Sequence, residues 1–103
     1  MKNYIFIYFS GGNAPSVPNE EVNKLWMGWF DLIKDSLVDA GNPFNEAGQV
    51  VTQAGNSQIS ESAASGYTII KASSMDQAVQ ISQGCPILHV PGASVQVYEA
   101  QPM

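Results

Sequence analysis

The chain has a single cysteine and a single histidine, Cys85 and His89, and they stand four residues apart in the segment GCPILHVPG. A thiol beside an imidazole suggests nucleophilic or acid–base chemistry, since histidine is the side chain that titrates near neutrality without perturbation. The position of Cys85 argues against a reactive thiolate. It follows a helix that Gly84 closes, with no Lys or Arg near it in sequence, whereas thiol pKa values fall at helix N-termini and beside cations. A buried structural cysteine is the expectation. His89 lies in a turn between Pro86 and Pro91 and is the candidate catalytic residue. As a general acid or base it needs an orienting carboxylate, for which Asp76 and Glu99 are the conceivable partners. One His and one Cys leave a zinc site two ligands short, so no metal site is expected, and no pattern names a cofactor.

The elements that must position these groups belong to a chain of 103 residues, the size of one domain, residues 1–103. Charged residues make up only 13% against 45% hydrophobic ones, so small polar residues or another subunit must cover much of the surface. With 4 basic and 9 acidic residues the net charge is -5. Nucleic-acid binding needs a basic stripe that this chain does not have, and an anionic membrane surface is disfavoured for the same reason. The apolar run at 4–9 is shorter than the hydrophobic region of a signal peptide, and no segment approaches the ~18 apolar residues of a membrane span. A cytoplasmic protein is expected.

Residues 4–9, YIFIYF, are apolar on both faces and read as a central strand covered on both sides. The following GGNAPSVPN is loop, and its glycines have neither the spacing nor the Lys-Ser/Thr ending of a phosphate-binding loop. Asn19 with Glu20 and Glu21 starts a helix, which the spacing of Val22, Leu25, Trp26, Trp29, Phe30, Leu32, Ile33, Leu37 and Ala40 carries to Ala40, with Gly41 as its stop. On its polar side Asp31, Asp35 and Asp39 recur at i, i+4 and i+8, a solvated face rather than a cation site. Trp26 and Trp29 could wall a pocket, although at this spacing core packing is the expectation. A second strand is expected at 48–53, a small polar loop able to act as a lid at 54–65, and a third strand at 66–72. Ser73 or Ser74 then caps a helix over 75–83, with Ala78, Val79 and Ile81 as core contributors, and a last strand covers 93–99.

The order β-α-β-β-α-β gives a ferredoxin-like α+β domain, an antiparallel sheet with two helices on one face and the first and third strands central. If Val95 and Val97 face the helices, the bare face would present Tyr4, Phe6 and Tyr8 together with Ser94, Gln96 and Tyr98. Such a face is too aromatic for water and too polar for a dry core, so a homodimer, sheet against sheet with a partly polar cavity between, is the economical solution. Tyr4, Tyr8, Gln96 and Tyr98 are then the candidate binding residues for a small-molecule ligand, because their polar ends need partners once buried. A structural or regulatory interaction module without ligand, and an acid–base enzyme using His89, are the alternatives.

The segments MKNYIFIYFSGG, WMGWFDLIKDSLVDAGNPF, SGYTIIKASSMDQAVQISQGCPIL and ASVQVYEAQPM resemble the YCII-related family, its DGPF-like members in particular, over nearly the whole length. The resemblance implies a dimeric α+β barrel of ferredoxin-like subunits. Some members carry a His on the first helix and an Asp after the second as an acid–base dyad. The corresponding positions here fall near Trp29 or Phe30 and at Cys85-Pro86, so neither member of the dyad is present. The loop comparable to the DGPF motif reads QAGNSQISES.

Overall fold

The computed structural model describes residues 1–11, 19–44, 48–59 and 63–102. Among these residues six strands and two helices follow in the order β1 (Lys2–Phe9), α1 (Asn19–Leu32), β2 (Leu37–Asp39), β3 (Gln49–Thr52), β4 (Gly55–Gln58), β5 (Gly66–Ala72), α2 (Met75–Ser82) and β6 (Ser94–Ala100), with a 3-10 turn at Pro86–His89 before β6. The main sheet has the order β2-β5-β1-β6, and every pairing in it is antiparallel. This is an α+β architecture with β1 and β5 central, compatible with the ferredoxin-like arrangement expected.

Strand β1 supplies the core because both of its faces are apolar, but the two faces go to different places. Tyr4, Phe6 and Tyr8 are buried, while Ile5, Ile7 and Phe9 are half-exposed. The register places Phe6 opposite Val97 and Tyr8 opposite Val95, and directly opposed residues share a face. The aromatic set therefore lies with the valines under the helices, stacked against Trp29 (Phe6 to Trp29 centroids 6.3 Å) and edge-on to Trp26 (Tyr8 to Trp26 5.2 Å). This corrects the expected grouping of Tyr4, Phe6 and Tyr8 with Ser94, Gln96 and Tyr98. The bare face instead carries Ile5, Ile7, Phe9, Tyr67 and Ile69, bordered by Ser94, Gln96 and Tyr98. The physical reason is register: pairing sets Phe6 and Tyr8 beside Val97 and Val95 on the helix side, where the rings meet two tryptophans.

Helix α1 ends at Leu32, well before the expected Ala40. The last turn tightens through Ser36 N–H to Ile33 O (2.8 Å), and the Lys71 N–H then donates to Ser36 O (2.8 Å). Leu37 comes to lie opposite Ile70. Asp, Ser and Val are weak helix formers, and the free edge of β5 offers this stretch ladder hydrogen bonds and a place for Leu37 on the core. Asp39 consequently sits in a strand, where its carboxylate accepts from Gly41 N–H at 2.8 Å, and the acidic stripe expected along a helix does not form.

The second strand of the main sheet is thus β2. The segment expected to hold that place forms β3 instead, which pairs only with β4 in a separate two-stranded hairpin. Its residues are exposed throughout. Strand β4 falls within the stretch expected to be a loop lid, and its polar sequence gave no alternation because it buries nothing; backbone pairing makes it, together with hydrogen bonds from Asn56 Nδ2 to Gln49 Oε1 (2.5 Å) and from Thr52 Oγ1 to Gly55 O (3.2 Å). Residues 12–18 of the first expected loop and residues 60–62 of the lid segment lie outside the described set, as does the side chain of Asn19.

Helix α2 begins as expected. Ser74 Oγ accepts from Gln77 N–H (3.1 Å), and Gln77 Oε1 accepts from the Ser73 N–H (2.6 Å) and hydroxyl (2.9 Å), a reciprocal arrangement close to a capping box. Ala78 is fully buried and Ile81 packs on the core, while Val79 is exposed. No helix among the described residues is long and apolar enough to cross a membrane.

Candidate functional site

A cavity of about 410 Å³ opens on the helix side of the sheet, at the Tyr8 end of β1. One wall is α1, through Val22, Trp26 and Phe30 at successive i+4 steps with Asn23 beside them. The floor is Tyr8 and Ser10. Ile87 and Val90, on either side of His89, close it from the 3-10 turn. The far wall is the loop after β2, with Gly41, Asn42 and Pro43 lying against Ser65, Gly66 and Tyr67 of β5 and its approach.

That far wall is bolted by main-chain bonds. Phe44 N–H donates to Ser65 O (2.8 Å), Ser65 N–H donates to Tyr8 O (2.6 Å), and Ser65 Oγ donates to the same Tyr8 oxygen (3.1 Å). The approach is so close that position 41 must be glycine and position 66 leaves little room for a side chain. Gly41 has φ +77, and a Cβ there would run into the Tyr67 carbonyl; at Gly66 a Cβ would stand 3.1 Å from Asn42 O and 3.3 Å from Pro43 Cα.

Beneath the floor runs a buried polar chain. The Tyr8 hydroxyl donates to Thr68 Oγ1 (2.6 Å), and the Thr68 hydroxyl donates to Ala40 O (2.9 Å). The Cys85 thiol adjoins the Tyr8 hydroxyl and also takes the Ile87 N–H. Burial pushes the Tyr8 phenol well above its ordinary value, partly offset by the Thr68 bond. Burial pushes the Cys85 thiol up to about 11, partly offset by the Ile87 N–H and by Tyr8. Both groups are protonated at neutral pH, so neither serves as nucleophile or base there. This agrees with the structural role expected of Cys85, which is 2% exposed.

The sequence candidates are scattered by the fold. Tyr8 lines the pocket. Tyr4 is 1% exposed in the core. Gln96 and Tyr98 lie on the opposite, bare face, where the Tyr98 hydroxyl donates to Gln96 Oε1 (2.5 Å). This cavity is therefore on the helix side, whereas the expected inter-subunit cavity belongs to the other face. His89 is exposed at the end of the 3-10 turn and does not line the pocket. Of its two conceivable partners, Asp76 is exposed on the first turn of α2, and Glu99 pairs with Lys2 (3.6 Å) at the surface. Among the described residues no group of three His, Cys, Asp or Glu side chains gathers as a metal site would require.

Of the two tryptophans, Trp29 is core, as expected, while Trp26 is half-buried and lines the pocket. The apolar stripe of α1 already contained Val22, Trp26 and Phe30. Asn42 and Ser65 had no local signal, because only the crossing of the β2 loop over β5 brings them to the site.

No protein-family model matches the chain, and no curated protein matches it in sequence. Among solved structures it is similar to 5-chloro-2-hydroxyhydroquinone dehydrochlorinase (TftG) from Burkholderia phenoliruptrix AC1100, in complex with 2,5-dihydroxybenzoquinone. The TM-score is 0.58 at 12% identity, over 96% of this chain and 93% of that one. Likeness at this identity is likeness of fold.

Proposed function

We propose that this protein binds an organic small molecule in the pocket under α1 and works as a homodimer joined through its bare sheet face. The pocket carries the binding role. At about 410 Å³ it lies within the ~300–1,000 Å³ of ligand sites, and its lining is mainly apolar and aromatic with a few convergent polar groups. Among the described residues its lining has no carboxylate, imidazole, ammonium or guanidinium group, and the Tyr8 phenol stays protonated, so binding is favoured over acid–base turnover.

The dimer is supported by the outer surface. Ile5, Ile7, Phe9 and Ile69 form a contiguous apolar patch on adjacent strands with Tyr67, rimmed by Gln96 and Tyr98. Patches of this kind mark interfaces. Membership of the YCII-related family is part of the same proposal, supported by the fold shared with the dehydrochlorinase over nearly the full chain. The bound quinone of that neighbour makes quinones natural members of a test panel.

The test is protein-observed NMR with a panel of neutral, anionic and cationic ring fragments that includes 2,5-dihydroxybenzoquinone. Saturable shifts of the Trp26 indole N–H and of the Asn23 and Asn42 side-chain amides are expected for at least one fragment, with loss of those shifts in Asn23→Trp, which sets an indole over the mouth. If no fragment moves these resonances, or the blocked variant responds as well as wild type, the binding role is wrong.

A further inference from the structure

We infer that the pocket selects an uncharged, planar ring compound, an inference that rests on the binding role proposed above. Among the described residues the lining contains no Asp, Glu, Lys, Arg or His. An ionised group entering this space would leave its hydration without meeting a counter-charge. Anions face a further opposition from the net charge of -5. Among the described lining residues the titratable ones are Tyr8 and Tyr67; the register turns the Tyr67 side chain to the bare face, and the Tyr8 hydroxyl is already committed to Thr68.

The shape selection comes from the rings. Trp26 stands edge-on to Tyr8 (5.2 Å, 73°) and tilted to Phe30 (5.7 Å, 41°), so these neighbours hold the indole while leaving it half-exposed to the cavity. A flat ligand gains contact across such a surface, and aromatic pairs favour offset-stacked or edge-to-face placement. A globular molecule of the same polarity touches it only in part. The polar groups on offer, Asn23 and Asn42, are neutral amides that can donate or accept. They suit a ring hydroxyl or carbonyl oxygen, which either amide can engage without a charge.

Isothermal titration calorimetry of the wild-type protein at pH 7 tests this with four probes of similar size: 2-naphthol, 2-naphthoate, 2-naphthylmethylammonium and 1-adamantanol. Saturable binding of 2-naphthol is expected, at least about tenfold tighter than each of the other three, and abolished in Asn23→Trp. Binding of either charged naphthalene within tenfold of 2-naphthol overturns the selection against charge. Binding of 1-adamantanol within tenfold overturns the selection for planarity. No binding of 2-naphthol overturns the inference as a whole. In each of these cases the fragment shifts at Trp26, Asn23 and Asn42 still decide the binding role separately: hits confined to acids or bases keep that role and sink this inference.

Discussion

Tyr8 and Thr68, sixty residues apart in sequence, meet hydroxyl to hydroxyl at 2.6 Å on the two central strands. The bond fixes the ring that floors the pocket, and Thr68 passes the fixation on to the Ala40 carbonyl at the end of β2. The two partners are not equivalent. Tyr8→Phe removes a donor but leaves Thr68 bonded to Ala40, and is expected to cost about 1 kcal/mol. Thr68→Val leaves the buried Tyr8 hydroxyl with only the weakly accepting Cys85 sulfur beside it and unpairs the Ala40 carbonyl, and is expected to cost about 2 kcal/mol. The double variant should cost less than the sum, because the poorly partnered hydroxyl is gone. Urea unfolding of the four proteins checks the ordering, and equal costs for the two single variants would contradict it.

The buried phenol and thiol set an alkaline limit to stability. An ordinary thiol in the unfolded chain ionises near 9.0, whereas folded Cys85 holds its proton to about 11. The unfolded state therefore releases protons first as pH rises, and stability falls. The Cys85 contribution is complete below pH 9 and is lost between pH 9 and 11. Tyr8, raised from 10.0, adds a further decline above pH 10. Thermal unfolding across pH 8 to 11 is expected to show this fall in wild type and a shallower one between pH 9 and 10 in Cys85→Ala. Over the same range the thiol should resist a disulfide reagent until the protein unfolds.

Two glycines should respond to alanine in opposite directions. Gly28 lies inside α1 with nothing within 4 Å of where a Cβ would stand. Gly28→Ala is therefore expected to stabilise by about 0.5–1 kcal/mol, the difference in helix propensity. Gly41 holds φ +77 against the Tyr67 backbone. Gly41→Ala is expected to destabilise by well over about 1 kcal/mol, since neither the conformation nor the space accepts a side chain. It should also open the pocket wall, so ligand binding falls with stability. A neutral Gly41→Ala in differential scanning calorimetry would count against the tight crossing of the β2 loop over β5.

The proposed dimer makes a solution prediction. Ile7 and Ile69 lie on the central strands of the bare face, away from the core cluster. Ile7→Lys and Ile69→Lys should leave the circular dichroism spectrum unchanged and convert a dimer to a monomer in sedimentation at micromolar concentration. Monomeric wild type under those conditions would remove the dimer from the proposal and leave the pocket untouched.

Much of the architecture is written locally. The run YIFIYF, the GYTIIKA strand, the Ser74 cap with Gln77, and the stop at Gly84 and Pro86 each act over a few residues, so β1, β5, α2 and β6 fall close to where pattern places them. Central placement of β1 and β5 also follows from the alternation of strands and helices along the chain, although one face of both strands is left bare rather than covered. Strand β2 was not local. The stretch KDSLVDA continues the helical spacing of α1, and only the vacant edge of β5 turns it into a strand.

The site was the least local feature. The sequence by itself determined that β1 would be buried, that α1 would present an apolar stripe with Trp26 and Phe30, and that the lone thiol would be structural. It could not decide which face of β1 meets the helices, because both faces of YIFIYF are apolar and a period of two then carries no contrast. Pairing settled that point: Phe6 against Val97 and Tyr8 against Val95 put the rings inside and the isoleucines outside. Tyr8 was thereby parted from Gln96 and Tyr98 and joined to Trp26, Asn42 and Ser65. Those contacts form between residues distant in the chain, whose approach depends on sheet register and on a close backbone crossing that requires glycine at 41.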